Sequence, residues 1–138
     1  MYKKILVPVD GSENSTAALE QAAALAVIAG AGVTVMHVLD LPPQVKSLIG
    51  DTLKEQIREV GEKIVNSAKE ACAARGAACE GKLVWGVPDH EVIMEAQQGR
   101  YDLIVIGSRG QGEVKGWLLG SVSRRVVRHA RCPVLVVK

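Results

Sequence analysis

The sequence predicts a doubly wound α/β domain: a single five-stranded parallel sheet, flanked by helices, with strand order 3-2-1-4-5. Three observations carry this reading. First, five short apolar runs, ILVPV (5–9), VTVMHVL (33–39), KLVW (82–85), LIVI (103–106) and PVLVV (133–137), are mostly continuous rather than alternating. Continuous Val/Ile/Leu runs suit strands buried on both faces, as in parallel sheets. Second, helix-like stretches separate the runs, giving β-α-β-α-β-α-β-α-β with no internal repeat and no linker, the order of a wound α/β fold. Third, 138 residues suit one domain, 1–138, with one core. Right-handed crossovers make 3-2-1-4-5 the natural closure.

Each helix has its own signals. The first, SENSTAALEQAAALAVIA, is rich in Ala and Leu and ends near Gly30. Ser12 stands where a helix cap belongs. The longest pattern spans about 45–75, with Ile49, Leu53, Ile57, Val60, Ile64, Ala68 and Ala71 at three- and four-residue steps, an inward stripe. Pro42-Pro43 precedes it and Gly76 stops it. A shorter helix starts at Pro88, a good first-turn residue, turns Val92, Ile93 and Ala96 inward and stops near Gly99. The last begins near Ser121, with Val122, Val126, Val127 and Ala130 inward.

Composition narrows the function classes. At 48% hydrophobic and 23% charged, the chain is globular rather than disordered. The basic start reaches Asp10 after five apolar residues, too short for a signal-peptide core. AAALAVIAGAG (22–32) falls well short of the ~20 apolar residues that span a bilayer. The expectation is a cytoplasmic protein without membrane attachment. Cys72, Cys79 and Cys132 are odd in number and lack CxxC spacing, which fits reduced thiols filling the core. Between Gly107 and Arg131 there are six Lys/Arg and one Asp/Glu, within a chain of net charge +2. Arg124, Arg125, Arg128 and Arg131 lie off the apolar stripe of the last helix and read as a solvated face. With two Trp, two Tyr and no Phe there is no base-stacking platform, so sequence-specific nucleic-acid binding is not expected.

The proposed strand order reverses its winding between strands 1 and 4, and wound sheets bind ligands at the carboxyl ends of such strands. Two segments leave those ends: PVDGS (8–12) and IGSRGQGEVKGWLLGSVSRR (106–125). The second holds Gly107, Gly110, Gly112, Gly116 and Gly120. Glycine clusters are often plain surface loops. Here two glycines sit at the strand end, where backbone N–H groups without a Cβ in the way can form an anion nest. The stretch closes at Gly120-Ser121, the start of a helix, whose N-terminus favours phosphate. GxxxxGK[ST] is absent, and GQGEVKG is one residue too long for GxGxxG. HEVIM (90–94) lacks the second His of a zinc HExxH motif.

Gly107, Gly110, Gly120 and Ser121 do fit G-x2-G-x9-G-[ST]. Together with KKILVPVDGSENSTAAL, VTVMHVLD, WGVPDHEVI and LLGSVSRRVVRHARCPVLVVK, the chain resembles the universal stress proteins, and specifically their nucleotide-binding branch. The resemblance covers nearly the whole chain. It implies a Rossmann-like fold of the adenine nucleotide alpha hydrolase type and ATP at the switch point. Gly107, Gly110, Gly120 and Ser121 would hold the phosphates, with backbone or hydroxyl help from Val122 and Ser123. Asp10 would reach the ribose hydroxyls. Pro8, Val9 and Val38 would frame the adenine, with the Val38 backbone reading its edge. Arg109 would lie beside the phosphates or on the surface. A Mg or Mn ion would ride on the phosphates, and no protein metal ligand is evident. The resemblance also implies a homodimer through the C-terminal strand, 133–138.

Other roles compete for the same residues. Asp10 and Glu13 have the spacing of a capping box, compatible with ribose contact. Ser121 also suits a cap. His37, within an apolar strand, reads as a packed histidine. Trp117, with Leu118 and Leu119, suggests a lid or partner contact, or a fold-back onto the core. The leading functional expectation is an ATP-binding regulatory module. One alternative is a slow ATPase or phosphoryl-transfer enzyme, for which Arg109, Glu113 and Lys115 are the available groups but none is a compelling base. The other is a dimeric interaction module without nucleotide.

Overall fold

The computed structural model describes residues 1–110 and 119–138. Among them the elements run β1 (Lys4–Pro8), α1 (Glu13–Ala29), β2 (Gly32–Asp40), α2 (Pro43–Lys46), α3 (Asp51–Ala74), β3 (Ala78–Gly86), α4 (Pro88–Gln98), β4 (Leu103–Gly107), α5 (Ser121–His129) and β5 (Val134–Val137). The sheet order is β3-β2-β1-β4-β5, and every pairing is parallel. Ile5 stands opposite Val33 on one side and Leu103 on the other. The predicted fold class and strand order are therefore those of the molecule.

The continuous apolar runs have the reason the sequence suggests. β1 is central, and Ile5, Leu6 and Val7 are all 0% exposed, because helices cover both faces. Ile5, Val7, Val33, Val35 and Val105 pack with Ala18, Ala22 and Ala26 of α1 and Val65, Ala68 and Cys72 of α3. Leu6, Met36, Ile104 and Ile106 pack on the other face with Val92 and Ala96 of α4 and Val126 of α5. Alanine on the inward face of α1 lets that helix lie close to the sheet. Ser12 caps α1 by accepting from the Ser15 N–H at 3.2 Å. Gly30 ends it in the left-handed region at φ 68°, where glycine meets no Cβ penalty.

Four boundaries and faces differ from the sequence expectation. The third strand begins at Ala78 rather than 82. It is the sheet edge, and its first half is mostly exposed, so it carries no apolar signature. The pattern at 45–75 divides into α2 and α3, with Gly50 as the N-cap of α3. The buried positions of α3 are Gly61, Val65, Ala68 and Cys72, while Leu53 and Val60 are 46% and 60% exposed. The buried positions of α3 begin at Gly61, where the helix meets the sheet at Leu39 and Leu83. In α5, Val126 is buried and Val127 is 44% exposed, so the inward stripe of this nine-residue helix is narrower than expected.

All three cysteines are free thiols, Cys72 fully buried and Cys79 and Cys132 half-buried. Burial, with the neighbouring Cys79 thiol adding to it, pushes Cys72 up to about 12. No helix among the described residues is long and apolar enough to cross a membrane.

Candidate functional site

The winding reverses at β1 and β4, and the segments leaving their carboxyl ends are held by different devices. Beyond β1, Val9 is fixed to β2 twice. Its N–H donates to Met36 O at 2.8 Å, and its carbonyl accepts from His37 Nδ1 at 2.7 Å. Asp10 follows, with Oδ1 accepting from the Ser12 N–H at 2.9 Å. The cap of α1 is thus Ser12, not an Asp10–Glu13 box, and Asp10 shapes the turn that leads into it. Gly11 makes that turn at φ 83°.

Beyond β4, Ser108 ties three elements together. Its N–H donates to Val137 O at 2.7 Å. Its carbonyl accepts from the Gly120 N–H at 2.6 Å and from Ser123 Oγ at 2.8 Å. Its hydroxyl oxygen accepts from Asn14 Nδ2 at 3.1 Å. The bond from Gly120 brings the start of α5 back to the end of β4, so both ends of the glycine-rich stretch meet beside α1. Ser123 is buried, with its hydroxyl proton shared between the Ser108 and Gly120 carbonyls. What Ser123 offers the cleft is therefore its N–H rather than its hydroxyl.

The glycines at the strand end answer a steric demand. Neither Gly107 nor Gly110 is in the left-handed region, so the expected nest is not formed by a positive φ at these positions. A Cβ on Gly107 would stand 2.7 Å from the Asn14 carbonyl carbon. Gly107 is where β4 passes the first turn of α1. A Cβ on Gly110 would stand 2.5 Å from Asp10 Oδ2, so the glycine-rich segment lies directly against the Asp10 carboxylate. Gly120 is the N-cap of α5, at φ −75°, with no side-chain cap bond. A helix's first turn leaves its leading N–H groups without carbonyls inside the helix, and its dipole end is positive.

These segments enclose a cleft of about 560 Å³. All of the sequence-selected residues line it: Pro8, Val9, Asp10, Val38, Gly107, Arg109, Gly110, Gly120, Ser121, Val122 and Ser123. The charged groups on its lining among the described residues are Asp10, Asp40 and Arg109. The first half of α3 supplies a wall through Ile57, Val60 and Gly61, and α4 supplies Pro88 and Val92. This accounts for Val60, which with Ile57 faces the cleft and not the sheet; Leu53 is exposed without lining it. The cleft's mix of apolar walls, few charges and helix N-terminal amides is chemistry for a ligand with an apolar ring system at one end and an anionic group at the other.

Sequence reasoning missed several participants. Asn14 and Ser108, which hold the strand ends together, are ordinary polar residues in a first turn and a loop, and one sequence carries no signal for them. Gly61 did leave a signal, being a glycine in the middle of a long helix. A Cβ there would meet Leu39 Cδ2 at 2.6 Å and Leu83 Cδ1 at 2.9 Å. His37 is packed as expected, but it also lines the cleft. Arg124, Arg125, Arg128 and Arg131 are exposed, and Arg125 pairs with Asp89 at 3.6 Å. His90 is exposed, and no group of three or more potential metal-ligating side chains occurs among the described residues. Glu113, Lys115 and Trp117 lie outside the described residues.

Known proteins share this architecture. The chain is 36% identical to the universal stress protein YxiE of Bacillus subtilis, over 100% of both chains. The structure of MJ0577, a protein of Methanocaldococcus jannaschii, superposes with a TM-score of 0.89 at 34% identity, covering 100% of this chain and 96% of that one. A universal stress protein of Archaeoglobus fulgidus, solved in complex with dAMP, superposes at 0.77 with 28% identity, covering 99% and 98%. Another universal stress protein, solved in complex with cAMP, superposes at 0.79 with 29% identity, covering 99% and 97%. The universal stress protein family profile matches residues 1–138. The chain belongs to the universal stress protein family.

Proposed function

We propose that the protein is an ATP-binding regulatory module whose nucleotide occupies the cleft at the β1/β4 switch point. The observation that carries this is the convergence of PVD (8–10), Val38, Gly107, Gly110 and the Gly120–Ser123 segment on one cleft, with glycine at the N-cap of α5. The relatives that hold dAMP and cAMP support an adenine nucleotide as the ligand class. Pro8, Val9 and Val38 would frame the base, and Asp10 would accept from the ribose hydroxyls. The backbone at Gly107, Gly110 and Gly120–Ser123 would hold the phosphates, with Arg109 beside them. A divalent Mg or Mn ion would bind through the phosphates and balance their charge. Occupancy would shift the population of conformations that the protein presents to partners, which requires only differential affinity for two states.

The test starts with the purified protein. Denaturation should release an adenine nucleotide, and stripped protein should bind ATP in the micromolar range by calorimetry. Gly110→Val combined with Gly120→Val should weaken binding ~100-fold or more by blocking backbone approach to the phosphates. No released nucleotide and no binding up to millimolar ATP would instead favour an interaction module without nucleotide.

The assembly we propose is a homodimer through 133–138. β5 is a sheet edge that pairs only with β4 in the described chain, and Leu135 is 37% exposed on it. Uncharged apolar edges invite pairing with another chain. Leu135→Lys should shift sedimentation from dimer to monomer, and unchanged sedimentation would place the interface elsewhere.

A further inference from the structure

One polar side-chain atom on the cleft lining is left available by the fold. His37 lies on β2 between Met36 and Val38, both buried. Its Nδ1 is 2.7 Å from the Val9 carbonyl oxygen. A carbonyl oxygen can only accept, so Nδ1 carries the proton, and Nε2 of the neutral ring carries a lone pair. That bond also fixes the ring plane. The bond to Val9 is the only one His37 makes among the described residues, and no buried side-chain nitrogen or oxygen there lacks a partner. Nε2 is therefore reached by solvent, through the cleft that the ring lines. Gly61 keeps this edge uncovered. A Cβ at Gly61 would come within 3.2 Å of His37 Cδ2, the ring carbon bonded to Nε2. The cleft that His37 lines has apolar walls that include Val9, Leu39, Ile57 and Val60, with Asp10, Asp40 and Arg109 as its charged groups among the described residues.

We infer that His37 is a specificity-determining residue for the base. Its Nε2 accepts a hydrogen bond from the exocyclic amino group of a 6-aminopurine and disfavours a 6-oxopurine. The inference rests on the nucleotide-binding reading above and adds a side-chain reader to it. A 6-oxo group would set a carbonyl oxygen against a lone pair, with the bound base displacing the water between them and leaving two acceptors without a proton to share. A site built around one polar partner discriminates most strongly against the analogue that lacks the matching group. The Val9 bond serves as the anchor, because it holds Nε2 in the accepting tautomer.

The experiment measures ATP and ITP binding to the stripped protein and to two variants. In His37→Asn, the side-chain amide can still donate to Val9 O but ends short of the cleft. In His37→Gln, the longer side chain can place an acceptor near the Nε2 position. The unmutated protein should prefer ATP to ITP by about tenfold or more. His37→Asn should lower that ratio severalfold, to what the Val38 backbone alone discriminates, and His37→Gln should recover part of it. A general loosening of the fold lowers both affinities and leaves the ratio in place. Purine riboside triphosphate, which has only hydrogen at C6, supplies a test without mutation and should bind about tenfold more weakly than ATP. Tight ATP binding with an unchanged ratio in His37→Asn, or equal affinity for ATP and purine riboside triphosphate, would overturn the inference and leave the nucleotide reading standing. Binding of neither triphosphate by the unmutated protein would overturn both.

Discussion

The two ends of the sheet are finished in opposite ways. At the amino ends of the strands, the fold closes on itself. The Asp102 carboxylate accepts from the backbone N–H of Lys3 at 2.8 Å and of Lys4 at 3.2 Å. The Lys3 and Lys4 carbonyls accept from the Gly32 and Asp102 N–H groups, and Cys72, in the last turn of α3, is sealed at 0% exposure. At the carboxyl ends, the segments part around a cleft of about 560 Å³. Among the helices that begin there, the two that follow the switch-point strands β1 and β4 differ in the same sense. α1 is capped by its own Ser12, whereas α5 has glycine at the cap and no side-chain bond. Groups at the closed end are satisfied by the chain itself, and the open end keeps some of its chemistry for a ligand. The division predicts that mutations at one end move stability alone, while those at the other can move binding.

Gly107 is where that division should be hardest to maintain, because it belongs to the open end but acts through packing. In Gly107→Ala the new Cβ would meet backbone, the Asn14 carbonyl carbon at 2.7 Å and oxygen at 2.8 Å. Backbone in a capped first turn cannot step aside cheaply. Overpacking of this kind costs about 1–3 kcal/mol, and the expected loss is at the upper end, read from urea unfolding. Asp102→Ala should come next, at about 2 kcal/mol, since it removes charge-assisted bonds to two backbone N–H groups. Its ATP affinity, measured on the folded protein, should stay within about twofold of the parent, because the cleft lies at the far end of the strands. A tenfold loss of affinity in Asp102→Ala would show that the two ends are coupled and would end the comparison.

Gly110→Ala sharpens the contrast within the open end. Among the described residues its Cβ would meet the Asp10 carboxylate, at 2.5 Å from Oδ2, a side-chain end rather than backbone. Stability should change by less than ~1 kcal/mol. ATP affinity should fall about tenfold, since the displaced carboxylate is the one proposed to hold the ribose. Two glycines three residues apart in one motif would then fail differently, one by unfolding and one by loss of ligand.

That contrast also marks how far the sequence could be read. The parallel sheet was legible because a central strand covered on both faces is apolar throughout, as Ile5, Leu6 and Val7 are, and right-handed crossovers then set its order. The cleft was legible as a set of residues because the glycine pattern and PVD leave the ends of adjacent strands. What each glycine does was not legible, since a missing Cβ looks the same whether Asn14 or a ligand occupies the space. The face of α3 was misread for a related reason. Periodicity records which residues are apolar, and Ile57 and Val60 are apolar for a cleft while Val65 and Cys72 are buried against the sheet. The start of β3 carried no apolar signature, because Ala78 and Glu80 are exposed on the edge and Gly81 has only its bare backbone against Val65 of α3.

The smallest expected effect belongs to the closed end and depends on pH. Cys72 has an ordinary value of 9.0 and is pushed up to about 12 in the folded protein, first by burial and then by the Cys79 thiol beside it. Between those values the unfolded chain releases the Cys72 proton and the folded chain keeps it. The unfolded state then binds fewer protons, so stability falls as pH rises. This contribution is complete below about 9 and is lost progressively as pH rises toward about 12. The urea midpoint should therefore drop between pH 8 and pH 10.5, and the drop should be shallower in Cys72→Ala. The variant loses stability at every pH through its cavity, so the informative quantity is the slope and not the level. Equal slopes would mean that Cys72 ionises in the folded protein as readily as in the unfolded chain. The amino end of the sheet would then be open enough for water to solvate a thiolate, contrary to the seal that distinguishes it from the cleft.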